Sequence, residues 1–187
     1  MNLLLRFIRV LIHAFFRPSL SIFEESVLWF RVYPHDIDLN KHMTNSRYLS
    51  LMDLGRIDLS LRSPLSRYLL QGQWKAVLGS VIIQFQRPLK LFQKVSLHTY
   101  VVGWDTKCIY LAQKIMFNQQ AASYAFAKCL FLDESGIILT DRILRVLGPS
   151  LKLPSHNINP PIHCWKELEE ILRTYEKTEE DNRNVSG

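Results

Sequence analysis

At 187 residues, 48% hydrophobic and 11% aromatic, the chain has enough apolar mass for one core and too little length for two ordinary domains. Its net charge of +6 is spread along the chain without a nucleic-acid-binding signature, so nucleic acid is not an expected partner, whereas attraction to an anionic lipid surface fits the sign. Cys108, Cys129 and Cys164 lack CxxC spacing and read as reduced thiols of a reducing compartment; the Cys and His residues show no metal-ligand spacing, so a metal is not expected.

The first seventeen residues are mostly apolar, but Arg6 and Arg9 interrupt the run before it reaches the ~20 residues of a membrane span. The same arginines, with no small-residue cleavage site behind them, argue against a signal peptide. At 100° per residue Asn2, Arg6, Arg9, His13 and Arg17 fall on one narrow stripe, with leucines, isoleucines and phenylalanines around the rest, until Pro18 stops the helix. Such a helix suits either a peripheral membrane contact through residues 1–17 or docking on protein.

Residues 27–33 have strand composition, and apolar Tyr48, Leu49, Met52 and Ile57 then recur at helical spacing over residues 45–60, with Leu61 next in the series. Thr44 or Asn45 is the expected N-cap. Residues 63–72 read as a connector or short helix closed by Gly72. Four runs with strand composition follow at 74–87, 93–104, 107–118 and 121–133, expected to form an antiparallel meander. Thr140 is a plausible cap for a helix over 141–147, residues 151–161 form a proline-bearing linker, and Trp165, Leu168, Ile171, Leu172 and Tyr175 mark a C-terminal helix before a polar tail expected to fray from Thr178. One strand, a long buried helix and four more strands define an α+β domain over residues 25–148, flanked by an N-terminal amphipathic segment over 1–24 and a C-terminal extension over 149–187.

The densest polar cluster lies between the first strand and the long helix, where Asp36, Asp38, Asn40, His42, Asn45 and Tyr48 fall within thirteen positions. Unpaired amides at a helix start attract developing negative charge, and a carboxylate just upstream supplies a base beside them. That pairing suits acyl transfer. Asp36 and Asp38 alternate, so only one should face a pocket. Asp38 is the expected base, set against the plainer role of an Asx-turn carboxylate. Asn40 is read as holding water or donating to the carbonyl, or else as a turn residue; His42 as sharing proton transfer, or else as a satisfied loop histidine. Asn45 and Tyr48 are candidate substrate contacts whose ordinary roles are capping and packing. Asp53, with Arg56 three residues on, is the alternative acid, or a plain ion pair.

The run from Asp36 to Tyr48, Asp-Ile-Asp-Leu-Asn-Lys-His-Met-Thr-Asn-Ser-Arg-Tyr, resembles the Asp-x-Asp-x-Asn-x-His-Val-Asn-Asn-x-x-Tyr signature of hotdog-fold thioesterases of the 4-hydroxybenzoyl-CoA thioesterase type. Residues 87–95 and 102–110 look like strands of thioesterase superfamily member six and its bacterial relatives. The resemblance implies a hotdog fold, a curved antiparallel sheet wrapping a long central helix, with helical extensions at both ends of this chain. It further implies hydrolysis of acyl-CoA or acyl-ACP without a cofactor, a homodimer or homotetramer, and a catalytic set mapping onto Asp38, Asn40 and His42. A helix acid serves as base in some such enzymes, which is the reason to keep Asp53. The expected location is cytoplasmic, peripheral on the inner membrane surface. Lys41 stands where many members have glycine, Thr44 replaces an asparagine, and Pro88 falls near the position where plant acyl-ACP thioesterases, which share the signature, have a downstream glutamate. The competing reading is a non-catalytic membrane-associated acyl-binding protein; hydratase chemistry lacks its sequence context.

Overall fold

A computed structural model describes residues 3–147 and 160–185; Asn2, most of the proline-bearing linker and His156 lie outside these residues. The chain forms α1 (Leu3–Phe16), β1 (Ser26–Arg31), α2 (Asn45–Arg62), α3 (Ser66–Leu70), β2 (Lys75–Phe85), β3 (Lys94–Trp104), β4 (Cys108–Phe117), β5 (Gln120–Asp133), β6 (Gly136–Ile137), α4 (Thr140–Leu147) and α5 (Pro160–Val185). Gly72 closes α3 in the left-handed region at φ 71°, as a helix-ending glycine should.

One antiparallel sheet carries the order β1-β3-β4-β5-β2, with β6 on β5. β3, β4 and β5 form the expected meander. β2 does not join it at β3: it crosses to the far edge and pairs with β5, Phe85 opposite Ser123 and Lys75 opposite Leu132. The reason is tertiary. Residues 86–93 carry the chain across the start of α2, where the Tyr48 hydroxyl accepts from Leu89 N at 3.2 Å and Met43 N donates to Leu89 O at 2.8 Å, and β3 is thereby delivered to β1. Register shifts at 78/80, 101/103 and 115/116 bend the sheet around α2, as bulges do. This is the hotdog arrangement of sheet around helix.

α2 is held close to the sheet. A β-carbon at Gly55 would lie 2.5 Å from Thr99 Oγ1 and 2.7 Å from Leu97 Cδ2, so glycine there permits the approach. Gln113, fully buried on β4, donates to Met52 O at 2.8 Å and to Thr99 Oγ1 at 3.0 Å, tying the same turn of α2 to two strands. Leu51, Met52, Leu97 and Ile115 form one core beneath α2, and Leu59, Trp104, Ile109, Phe131 and Ile143 a second toward α4. Tyr110, alternating with Ile109 and Leu111 on β4, points to the opposite face and meets Trp165 and Ile162 of α5.

The backbone of α5 runs helical to Val185. At the other end, α1 lies docked on the domain, one of the two arrangements expected for it, with Arg6 inside and Arg9 and His13 outside. Arg6, Val10 and Ala14 are its buried face, packed against the domain, and Arg17 donates to Val27 O at 3.1 Å, while Leu4, Leu5, Ile8, Ile12, Phe15 and Phe16 are exposed.

Candidate functional site

Asp36 occupies a single 3-10 turn, Pro34–Asp36, directly after β1 and is fully buried. Arg6 of α1 meets it with both terminal nitrogens, Nη1 to Oδ1 at 3.0 Å and Nη2 to Oδ2 at 2.5 Å, and Nη2 also donates to Arg31 O at 2.9 Å. Tyr33 N donates to the same carboxylate at 2.9 Å, and Arg47 of α2 lies 3.7 Å away. Thr44 N closes the loop on Asp36 O at 2.9 Å. The inward-facing acid of the alternating pair is therefore Asp36, and it is a structural anchor. Arg6 as its partner is the residue that local reasoning missed, because a cation 30 positions away in a different element leaves no periodic signal.

Beyond that anchor the loop turns outward. Asp38 is exposed, and its Oδ1 accepts from Asn40 N at 2.8 Å and His42 N at 3.3 Å, an Asx-type turn. Asp38 N donates to His42 O at 2.9 Å and Ile37 bridges to Met43, so Asp38, Asn40 and His42 are gathered in one tight loop. Lys41, at the position where related signatures carry glycine, adopts the left-handed φ of 61°. Within one chain this carboxylate faces solvent instead of lying enclosed beside the helix amides.

Thr44, not Asn45, is the N-cap of α2, with extended backbone at φ −63° and ψ 147°. Its side chain makes no capping bond; Thr44 Oγ1 instead pairs with Ser46 Oγ at 3.1 Å. The first amides of the helix thus lack the usual side-chain acceptor. Asn45 is exposed as the first helical residue. Tyr48 is buried edge-on to Phe85, with its hydroxyl donating to Arg87 O at 3.3 Å; burial raises its pKa against the lowering effect of the bond from Leu89 N.

Asp53 belongs to a different place. Two and a half turns beyond the cap of α2, about 13.5 Å along the axis, it stands at the edge of an apolar cavity of about 450 Å³ bounded by α1, α2, β2, β4 and β5. Phe7, Leu11, Ile57, Leu111 and Cys129 are among the apolar walls, with Asp53 and Arg56 as the charged pair. Arg56 bonds Asp53 and donates to Gln113 Oε1 at 2.5 Å, so the network that holds α2 to the sheet also fixes the cation at the cavity. Asp53 itself is 60% exposed. The size and apolar lining suit an acyl chain or similar ligand. Cys129 on this wall and Cys108 on the opposite sheet face are buried, which pushes both thiols up to about 11, too high for a nucleophile at neutral pH. Among the described residues no group of His, Cys, Asp and Glu has the arrangement of a metal site.

β2 forms one edge of the sheet and exposes Val77, Leu78, Ile82 and Phe85. A long edge strand with apolar side chains and free backbone groups is a pairing surface.

The profile of the Thioesterase-like superfamily matches residues 32–140, more than half of the chain. Protein THEM6 of Danio rerio is 31% identical over 116 residues, which are 62% of this chain and 57% of that protein. Among solved structures, the Escherichia coli protein YbaW superposes with a TM-score of 0.60 at 19% identity, over 65% of this chain and 94% of that one. The 1,4-dihydroxy-2-naphthoyl-CoA thioesterase of Synechocystis gives 0.57 at 14% identity, over 70% and 100%. The structural likenesses establish the fold. The chain spans about half the length of the curated relatives it matches.

Proposed function

The chain belongs to the thioesterase-like superfamily, and we propose that it hydrolyses an acyl-CoA, or acyl-carrier-protein, thioester to the free acid and thiol. The observation that carries this reading is the anchored loop: Asp36 is pinned by Arg6, so Asp38, Asn40 and His42 stand together directly ahead of helix amides that no side chain caps. Asp38 takes a proton from water, the oxygen attacks the thioester carbonyl, and the resulting oxyanion lies toward the start of α2. Collapse breaks the C–S bond, and the proton held by Asp38 goes to the departing thiolate. Asn40 positions the water, His42 shares the proton transfer, and Asn45 and Tyr48 border the acyl group.

In the active form a second copy of the chain encloses Asp38. The apolar β2 edge supports pairing of two sheets, and an exposed base gains its water-poor surroundings only from such a neighbour or from the substrate. The 450 Å³ cavity takes the acyl chain. Asp53 is the second reading for the base, because it and not Asp38 borders that cavity. The outward apolar face of α1 supports peripheral membrane contact, and the free cysteines suit a cytoplasmic, reducing side of that membrane. No helix among the described residues is long and apolar enough to cross a bilayer.

The test is CoA release from a panel of acyl-CoAs by the purified chain. Asp38→Asn is expected to lower kcat by at least about a hundredfold, the scale of general-base catalysis, with Asp53→Asn retaining most activity. Full activity in Asp38→Asn with loss in Asp53→Asn reassigns the base; acyl-CoA binding without any release makes the protein a carrier.

A further inference from the structure

The two sides of α1 face two apolar environments. On its inner side Phe7 and Leu11 are part of the cavity wall, and Arg6 reaches the Asp36 anchor of the loop that carries Asp38. On its outer side Leu4, Leu5, Ile8, Ile12, Phe15 and Phe16 are exposed, Phe16 to 85%. At 100° per residue these six occupy one arc of about 120°, opposite the buried Val10, with Arg9 and His13 along one border. Both border residues are exposed. A helix docked on a domain ordinarily keeps its apolar side inward; this one buries an arginine and shows two of its three phenylalanines.

Charge chooses the occupant of that outer face. The first acidic residue of the chain is Glu24, so the whole segment before it carries arginines and no carboxylate. Arg6 is neutralised internally by Asp36, which leaves Arg9 as an outward cation beside the apolar arc. An apolar strip with a cationic border and no acid complements the surface of an anionic bilayer. A second copy of this chain, itself at +6, is disfavoured there by like charge.

Building on the thioesterase reading, we propose that α1 is a wall shared between an anionic membrane and the acyl cavity, and that the substrate is a long-chain acyl thioester already partitioned into that membrane. The acyl chain passes from the bilayer into the cavity past Phe7 and Leu11 without crossing water, while the Arg6–Asp36 pair keeps the wall in register with the loop of Asp38.

The experiment uses the full chain with phosphatidylcholine vesicles, with and without phosphatidylserine, and compares wild type with Ile8→Asp/Ile12→Asp. Both substituted positions are exposed and border no part of the cavity, so an unchanged urea-unfolding transition checks the fold. Wild type is expected to co-sediment with phosphatidylserine vesicles and to release CoA from vesicle-bound palmitoyl-CoA at least about tenfold faster than the variant. The two should be equal on soluble hexanoyl-CoA. A second readout follows transfer of a fluorescent long-chain fatty acid from vesicles to protein, which needs no chemistry. Transfer dependent on Ile8 and Ile12, without CoA release from either thioester, sustains the shared wall and removes the hydrolytic reading. Hexanoyl-CoA hydrolysis without vesicle capture, or with equal palmitoyl-CoA rates in both proteins, overturns the shared wall and leaves hydrolysis standing. Loss of self-association in the variant, without vesicle capture of wild type, assigns the face to a second copy and likewise overturns it.

Discussion

Replacing Arg6 by Met removes three bonds at once: two to Asp36, at 3.0 and 2.5 Å, and one to Arg31 O at 2.9 Å. It leaves the Asp36 carboxylate, fully out of solvent, with Tyr33 N at 2.9 Å and more distant neighbours in His35 at 3.4 Å and Arg47 at 3.7 Å. Removing one member of a buried ion pair costs about 3–5 kcal/mol; the surviving contacts, and the volume filled by Met, place this case near 3 kcal/mol. For a chain of this size that lowers Tm by roughly 6–12 °C. The measurement is urea unfolding followed by both circular dichroism and tryptophan fluorescence, where coincident transitions license a two-state free energy. Arg6→Met/Asp36→Leu should recover at least about 1 kcal/mol over the single variant, since an apolar pair leaves no uncompensated charge. A loss below about 0.5 kcal/mol in Arg6→Met would refute the reasoning, because it would mean that α1 does not carry a desolvated guanidinium onto the domain.

Gly55→Ala gains about 1 kcal/mol of helix propensity but drives a β-carbon onto Thr99 Oγ1, which its bond from Gln113 holds in place; overpacking of about 1–3 kcal/mol should leave the variant less stable by roughly 1 kcal/mol, and a stabilised protein in the same urea assay would contradict the close approach. Burial opposes ionisation of Asp105, yet bonds from Lys107 N, the Tyr110 hydroxyl, Cys108 N and Lys166 outweigh it and hold the carboxyl at about 2. Its folded value thus lies below the ordinary 3.8, so its stabilising contribution is complete above pH 3.8 and is lost as pH falls from there toward 2; the urea midpoint of wild type should fall more steeply across that window than that of Asp105→Asn. Iodoacetamide should modify Cys164 alone in the folded protein and all three thiols after denaturation, as read by intact mass, because Cys108 and Cys129 are buried with raised pKa values.

The elements with a strong local pattern were legible before any coordinates. The apolar repeat from Tyr48 to Leu61 specifies α2, and the β-rich runs specify β2 to β5 to within a few residues, because helix and strand periods are set by neighbouring side chains. The cap at 44/45 and the closing role of Gly72 follow from backbone chemistry that is equally local. The signature from Asp36 to Tyr48 marked the loop as a polar junction for the same reason.

What the chain could not specify locally is which distant groups meet. β2 abandons the meander because the 86–93 crossing passes over the start of α2, a choice visible only once Tyr48, Met43 and Leu89 are in contact. The alternation of Asp36 and Asp38 implied that one acid turns inward; only the docked α1, bringing a cation from 30 residues away, selects Asp36 for burial and leaves Asp38 on the outer turn. The amphipathic stripe of α1 was plain in the sequence, but its orientation was not. A helical wheel ranks faces by polarity, and the folded chain departs from that ranking here, since one buried ion pair is enough to turn Arg6 inward while Phe15 and Phe16 face out.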